Sequence, residues 1–353
     1  MEGVSLQKVR IVGSGLIGTS IGLALSGKGI EVEMADIDHA SQSLAQDLMR
    51  LSVSERSSDL TIIASPLSTI SSVLSSEIGT SINQRFMDIS SVKTNPLLDV
   101  SSLGFDISHF LPTHPMAGRE VGGAESARGD LFQGRPWIID STGVDGELLR
   151  LGCEVIQLCG GHLVDMPVRA HDQAVALVSH LPQILSSTLA AQLEGAPAQW
   201  LDLAGSGLRD TTRIAASNPM LWREIISANR EPLAPLIEKV IEDLQELLSH
   251  LSDETAVENF IKDGNRGRAM IPGKHGGVAR NYTYLPVVIQ DKPGQLAALF
   301  EECAAAQVNV EDLSIEHSPE QYTGLITLAL SAPDAQKLFQ HLKSKGWSAH
   351  EPR

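Results

Sequence analysis

The sequence predicts an α/β protein in three parts: a doubly wound parallel sheet, then an all-helical domain, then a small α+β domain. Three observations predict it. Short apolar runs at residues 9–12, 32–34, 60–64, 86–89, 137–139 and 162–164 alternate with helix-like stretches, the pattern of a parallel sheet with crossover helices. β-branched runs then give way to long amphipathic stretches at 169–193 and 232–251. Beyond residue 284 the order reads β-α-β-β-α-β, a ferredoxin-like arrangement. The resulting boundaries are 1–166, 167–262 and 284–353, with a connector at 263–283.

Length and charge narrow the function. A chain of 353 residues holds two or three domains at roughly 150 residues each. Its net charge of −16 repels nucleic acid and anionic membrane surfaces. Any anion site must therefore rest on a few local cations and backbone dipoles. Cys153, Cys159 and Cys303 form no metal-ligand spacing and no C-x-x-C pair, which suits a reducing compartment. With no signal-peptide core and no window resembling a membrane span, the expectation is a cytoplasmic protein without a metal.

The first strand, 9–12, runs into Gly13-Ser14-Gly15-Leu16-Ile17-Gly18 and an apolar helix. Gly13 permits the tight turn, Gly15 lets backbone approach a pyrophosphate, and Gly18 lets helix pack on strand. The helix N-terminus offers free N–H groups to the phosphates. Asp36 follows 18 residues after Gly18, where a carboxylate accepts from ribose hydroxyls. Residues 37–46 hold no Lys or Arg to balance a 2′-phosphate, so the cofactor expected is NAD rather than NADP. Only 23 residues separate Asp36 from Leu60, so a trimmed strand-and-helix connection is expected there.

Beyond the strand at 86–89 come Ser90, Ser91 and Lys93, with a helix start at Asn95-Pro96. Pro112-Thr113-His114-Pro115 then reads as a rigid loop presenting one imidazole, suited to proton transfer. His171 and His180 lie nine positions apart, about 900° on a regular helix, so only one is expected to line a site. Pro182 should kink that helix. Arg209, Asp210 and Arg213 place two guanidinium groups around an acid, and Asp210 could hold Arg213 to grip a carboxylate in bidentate fashion. The connector carries Lys262, Arg266, Arg268, Lys274 and Arg280 against Asp263 alone. It reads as a flexible linker, or else as a loop that brings cations to an anionic substrate.

Taken in order, Gly13–Gly18, Asp88-Ile89-Ser90-Ser91-Val92-Lys93, His114-Pro115-Met116-Ala117-Gly118, His180-Leu181-Pro182, Asp210 to Ala215 and Trp222 resemble the prephenate/arogenate dehydrogenase family of tyrosine biosynthesis. The tail resembles an ACT domain. The resemblance implies a Rossmann-type NAD-binding domain, a helical domain that builds a homodimer, and oxidative decarboxylation of prephenate. It also implies that His114 draws off the ring hydroxyl proton while Ser91 orients that hydroxyl. Arg213 and His180 would hold carboxylates, supported by Asp210 and Trp222, with Glu120 shaping the pocket. Asp291, Pro293, Gly294 and Asn309 would contact a tyrosine effector. Two other readings stay open: arogenate dehydrogenase, and a non-catalytic NAD-binding sensor.

Overall fold

The computed structural model describes residues 6–49, 56–79, 84–119, 121–271, 282–317 and 323–353. The chain divides into two compact units, Met1–Glu242 and Asp243–Arg353.

The first unit opens with β1 (Lys8–Val12), α1 (Leu16–Ser26), β2 (Glu31–Ala35), α2 (His39–Met49), β3 (Leu60–Ile63), α3 (Ile70–Ile78), β4 (Phe86–Asp88), α4 (Thr94–Ser102) and β5 (Phe110–Pro115). It continues with β6 (Pro136–Ile139), α5 (Gly146–Leu158) and β7 (His162–Asp165). The seven strands form one sheet in the order β2-β1-β3-β4-β5-β6-β7. The strand order reverses at β1, so the crevice between β1 and β3 is the switch point at which such sheets bind ligands.

Pleating explains the two layers. Ile62, Met87 and Leu111 face one core with Ile21 and Leu25 of α1, Ala45 of α2 and Val155 of α5. Their sequence neighbours Ile63, Phe86 and Phe110 face the other, against Ile70 and Leu74 of α3 and Val100 of α4. Period-two alternation along fully buried strands thus makes both faces apolar.

Several expectations need correction. The sheet is mixed: β5 pairs antiparallel with β6, so β6 and β7 run against the other five strands. Apolar runs mark a strand but not its direction. His114 lies in β5, not in a loop; Pro112 and Pro115 fit there because Thr113 carries the donor contact, its N–H reaching Asp88 Oδ1 at 3.2 Å. The short stretch between Asp36 and Leu60 does hold a helix, α2. The connector begins later than residue 263, as the tail section shows.

Helices follow: α6 (Val168–Val175), α7 (Leu181–Ala191), α8 (Ala198–Leu201), α9 (Ser206–Thr212), α10 (Pro219–Ala228) and α11 (Arg230–Ser249). A π-helical turn, Ala176–His180, joins α6 to α7. Pro182 lacks an N–H and crowds the carbonyl one turn back, which a widened turn relieves. The whole rod, Val168–Ala191, is 24 residues long, and by length and composition alone it is long and apolar enough to cross a membrane. That corrects the expectation of no such window. Its inward side nevertheless carries His171, Asp172, His180, Gln183 and Ser186, all buried, while Leu177, Val178, Leu185 and Leu189 face outward.

In the second unit, α12 (Glu254–Ala269) runs through the residues expected to be linker. Asp253 caps it by accepting from the Thr255 and Ala256 amides. Lys262 pairs with Glu258 and Arg266 with Asp263 along one face. Arg266 and Arg268 sit in the last turn, where cations favour the helix dipole. Lys274 and Arg280 lie outside the described residues. The tail is β8 (Thr283–Gln290), α13 (Gln295–Ala305), β9 (Asp312–His317), β10 (Thr323–Leu330), α14 (Ala332–Ser344) and β11 (Ser348–Ala349), with strand order β11-β8-β10-β9, all antiparallel. This is the ferredoxin-like order expected, closed over a core of Leu285, Val287, Leu299, Leu328, Leu338 and Leu342.

One buried polar contact ties the sheet to the histidine strand. Thr113 Oγ1 donates to the Asp88 carbonyl at 2.7 Å and accepts from Trp137 Nε1 at 3.0 Å. Thr113→Val leaves both partners unsatisfied and should lower stability by about 1–3 kcal/mol, read as a fall in melting temperature of the full chain.

Candidate active site

The cofactor loop is built as its glycines require. Gly13 has φ +117°, and a Cβ there would lie 2.4 Å from the Ala64 carbonyl oxygen. A Cβ on Gly18 would lie 2.1 Å from the Gly13 carbonyl oxygen. Gly15 differs: a Cβ there meets nothing within 4 Å. Gly15 caps α1 without any side-chain acceptor, so Leu16 and Ile17 begin a helix whose first amides face that open space. The Ser14 hydroxyl is buried and finds no partner in the protein. Asp36 closes the loop by accepting from the Ser14 amide at 2.5 Å and from the Asp38 amide at 2.9 Å, and a carboxylate retains lone pairs for ribose hydroxyls. An orphaned hydroxyl, an uncapped helix N-terminus and an empty cradle at Gly15 fit a dinucleotide.

Because β1, β3, β4 and β5 are parallel, Gly13, Ala64, Ser91 and His114 all sit at or just beyond their carboxyl ends. Buried polar groups knit that rim. Lys93 forms an ion pair with Asp88, each almost wholly buried. Ser90 Oγ accepts from Lys93 Nζ at 2.9 Å. Burial pulls the Lys93 pKa down, and the Asp88 carboxylate opposes that pull. Ser91 is half-buried on the same segment.

From the helical side, Asp172 reaches into this segment. Its Oδ1 accepts from the Lys93 amide at 2.9 Å and its Oδ2 from the Thr94 amide at 2.8 Å. A carboxylate from α6 therefore caps α4. His171 Nδ1 lies 2.8 Å from the same Oδ1, and His171 Nε2 lies 2.8 Å from His114 Nδ1. Burial, then the nearby His171, Lys93 and His180, push the His114 pKa well below its ordinary value.

His180 belongs to the same network. Asn229 Nδ2 donates to the Asp172 carbonyl at 2.8 Å and lies 2.9 Å from His180 Nδ1. Since Asn229 is the donor, His180 accepts through Nδ1 and keeps its proton on Nε2. Burial lowers the His180 pKa to about 4, so at neutral pH it is an uncharged N–H donor, not a cation. Trp222 stands edge-on to it, ring centroids 6.0 Å apart. The expectation that only one of His171 and His180 serves this region is thus corrected: the π-helical turn breaks the regular 100° step, and both join one cluster.

Asp210 lies exposed on α9, and Arg213 lies exposed on the short 3₁₀ turn after it, which packs against α7. Glu120 lies outside the described residues. His171, Asp172, Asn229, Asp88 and Lys93 are the polar groups that reading by spacing did not assign. The Asp88-to-Lys93 run was in view, but its internal ion pair was not.

In the tail, the expected effector residues are not brought together. Gly294, φ +87°, follows β8, and Asn309 precedes β9, where it donates to Glu311 at 3.0 Å. Gln290 pairs with Thr323 while Asp312 pairs with Ala329. Six residues of β10 separate those ends, about 20 Å. One copy therefore places Asp291, Pro293 and Gly294 at the opposite end of the sheet from Asn309.

Fold and site together define a dinucleotide-dependent oxidoreductase with a half-buried histidine on the same rim of the sheet as its cofactor loop. The family models sharpen this: one described as prephenate dehydrogenase, nucleotide-binding domain, matches residues 21–165, and one described as prephenate dehydrogenase, dimerization domain, matches residues 167–263. The chain belongs to the prephenate dehydrogenase family. It is 30% identical to "Probable prephenate dehydrogenase NovF" of Streptomyces niveus, over 96% of this chain and 98% of that one. It is 23% identical to the prephenate dehydrogenase of Bacillus subtilis, over 93% of each. Among solved structures, prephenate dehydrogenase from A. aeolicus, in complex with hydroxyphenyl propionate and NAD+, aligns at TM-score 0.66 and 29% identity, over 75% of this chain and 98% of that one. Synechocystis arogenate dehydrogenase aligns at 0.63 and 25%, over 74% and 99%.

The two glycines separate ligand space from packing space. Gly18→Ala should lower the melting temperature of the full chain, whereas Gly15→Ala should leave it nearly unchanged and weaken NAD binding, measured by titration, by roughly tenfold or more. Equal melting losses in both variants would contradict this division.

Proposed function

We propose that the chain oxidises and decarboxylates prephenate to 4-hydroxyphenylpyruvate, with NAD held by Gly13, Ser14, Gly15, Leu16, Ile17, Gly18 and Asp36. NAD supplies the acceptor for the C4 hydride, and loss of carbon dioxide makes the ring aromatic. His114 takes the proton of the C4 hydroxyl, and Ser91 on the neighbouring strand end orients that hydroxyl. Arg213 binds a carboxylate, supported by Asp210, while His180 donates its Nε2–H to a second acceptor oxygen with Trp222 walling the ring. The observation that carries this reading is an uncharged imidazole, His114, at the carboxyl end of β5, on the same rim of the sheet as the dinucleotide loop. Similarity over nearly the whole chain to relatives named prephenate dehydrogenase supports the substrate.

Arogenate is the second reading, favoured by the likeness to the Synechocystis enzyme. NADH formation with prephenate against arogenate separates them; a kcat/KM at least tenfold higher on prephenate is expected. The helical domain also forms a homodimer in this reading, supported by the dimerization model and by outward Leu185, Leu189, Trp200, Leu203 and Met220. Sedimentation should give twice the chain mass. Tyrosine acts through the tail at Asp291, Pro293 and Gly294, so inhibition by tyrosine should weaken in Asp291→Ala.

His114→Asn should bind NAD yet lose turnover by roughly 10²-fold or more. The pH dependence follows from sign. A depressed histidine pKa keeps the base neutral below the ordinary range, so kcat/KM should hold as pH falls through 6.5 and drop only at lower pH. An acid limb centred near 6.5 would contradict the geometry.

A further inference from the structure

We infer that Asp172 and His171 are positioning residues that fix the tautomer of His114, leaving its Nε2 as the proton-accepting nitrogen. The inference deepens the reading of His114 as the base and rests on it.

The hydrogen bonds dictate the protons. Asp172 takes the Lys93 and Thr94 backbone amides, both obligatory donors, and a carboxylate offers only acceptors. His171 Nδ1, 2.8 Å from Asp172 Oδ1, must therefore donate. Neutral His171 then carries no proton on Nε2, which becomes an acceptor. His114 Nδ1, 2.8 Å away, must donate to it. Neutral His114 has only one ring proton, so its Nε2 is bare. No step of that chain is free to reverse without leaving Asp172 facing a lone pair.

The cluster also supplies a contrast. Asn229 fixes the opposite tautomer on His180, whose Nε2 keeps its proton. Two histidines of one cluster are thus assigned different tasks, one accepting and one donating, by their partners alone. The groups facing His114 are His171 from α6, His180 from the π-helical turn and Lys93 from the β4–α4 segment. Lys93 is itself paired with Asp88. A cation on His171 would push a proton onto His114 Nε2 and abolish the base; the Asp172 carboxylate favours its Nδ1–H without requiring a second proton.

Asp172→Asn reverses the order at its source. An amide can accept from only one of the two α4 amides: with its NH2 in the Oδ1 position it keeps the Thr94 amide and turns a donor toward His171 Nδ1. His171 then carries its proton on Nε2, His114 must accept at Nδ1, and His114 Nε2 becomes protonated. In the full chain with ¹⁵N-labelled histidine, His114 Nε2, assigned by its absence in His114→Asn, should read as pyridine-like in the native protein and pyrrole-like in Asp172→Asn. Turnover should fall by roughly 10²-fold or more, with NAD affinity unchanged because Gly13–Gly18 is untouched. A pyrrole-like His114 Nε2 in the native protein overturns the inference. Should Asp172→Asn not fold, His171→Gln and His171→Leu decide: Gln Oε1 can accept from His114 Nδ1 and Leu cannot. The Gln variant should turn over at least about tenfold faster than the Leu variant, and equal rates overturn the inference. Normal turnover in His114→Asn would instead sink the base assignment, and the nitrogen signatures would still judge the tautomer.

Discussion

The Asp172 carboxylate pins three parts of the chain to one point. Its oxygens take the first amides of α4, which follows the sheet, and the ring of His171, which leads on to His114. Its backbone carbonyl takes Asn229, which sets His180. Charge-assisted bonds of this kind contribute roughly 1.5–3 kcal/mol each and cost as much when one partner is removed. The buried carboxylate is tolerable only because every donor around it is satisfied. The cofactor domain and the helical domain therefore meet at a polar cluster, and the imidazoles inherit their positions from it.

That arrangement explains how an acidic protein handles an anionic substrate. The net charge of −16 opposes such a ligand at long range, so recognition falls to a few local donors. In the proposed site the α1 N-terminus would face the phosphates, Arg213 would provide a guanidinium, and His180 would provide an uncharged N–H. Keeping both histidines neutral has a consequence. A cationic His180 would raise the cost of neighbouring charge on His114 and Lys93, whereas a neutral donor binds oxygen without perturbing the base.

Much of this was legible in the sequence. The strands of the cofactor domain stood out as apolar runs, and the Gly13–Gly18 loop with Asp36 pointed to NAD because Gly13 and Gly18 have steric reasons and Gly15 leaves space for a ligand. The ferredoxin-like tail followed from residue spacing alone. The parts that were not legible share a cause: they depend on contacts distant in sequence. Pro112 and Pro115 read as a loop because isolated prolines weaken a strand signal, yet pairing with β4 and β6 holds His114 in a strand. The π-helical turn defeated arithmetic based on a uniform 100° step. Asp172 revealed nothing locally, since its partners lie nearly eighty residues away. The basic run at 262–269 resembled a linker because its glycines outweighed the ion pairs that make it helical.

The most direct test of the central claim is a crystal structure of the chain with NAD and a phenolic analogue of the product. The account predicts His114 Nε2 within about 2.6–3.2 Å of the ring oxygen, with Nδ1 still on His171 and the carboxylate held by Arg213. A ring oxygen met by His114 Nδ1, or an imidazole turned away from the nicotinamide, would contradict it.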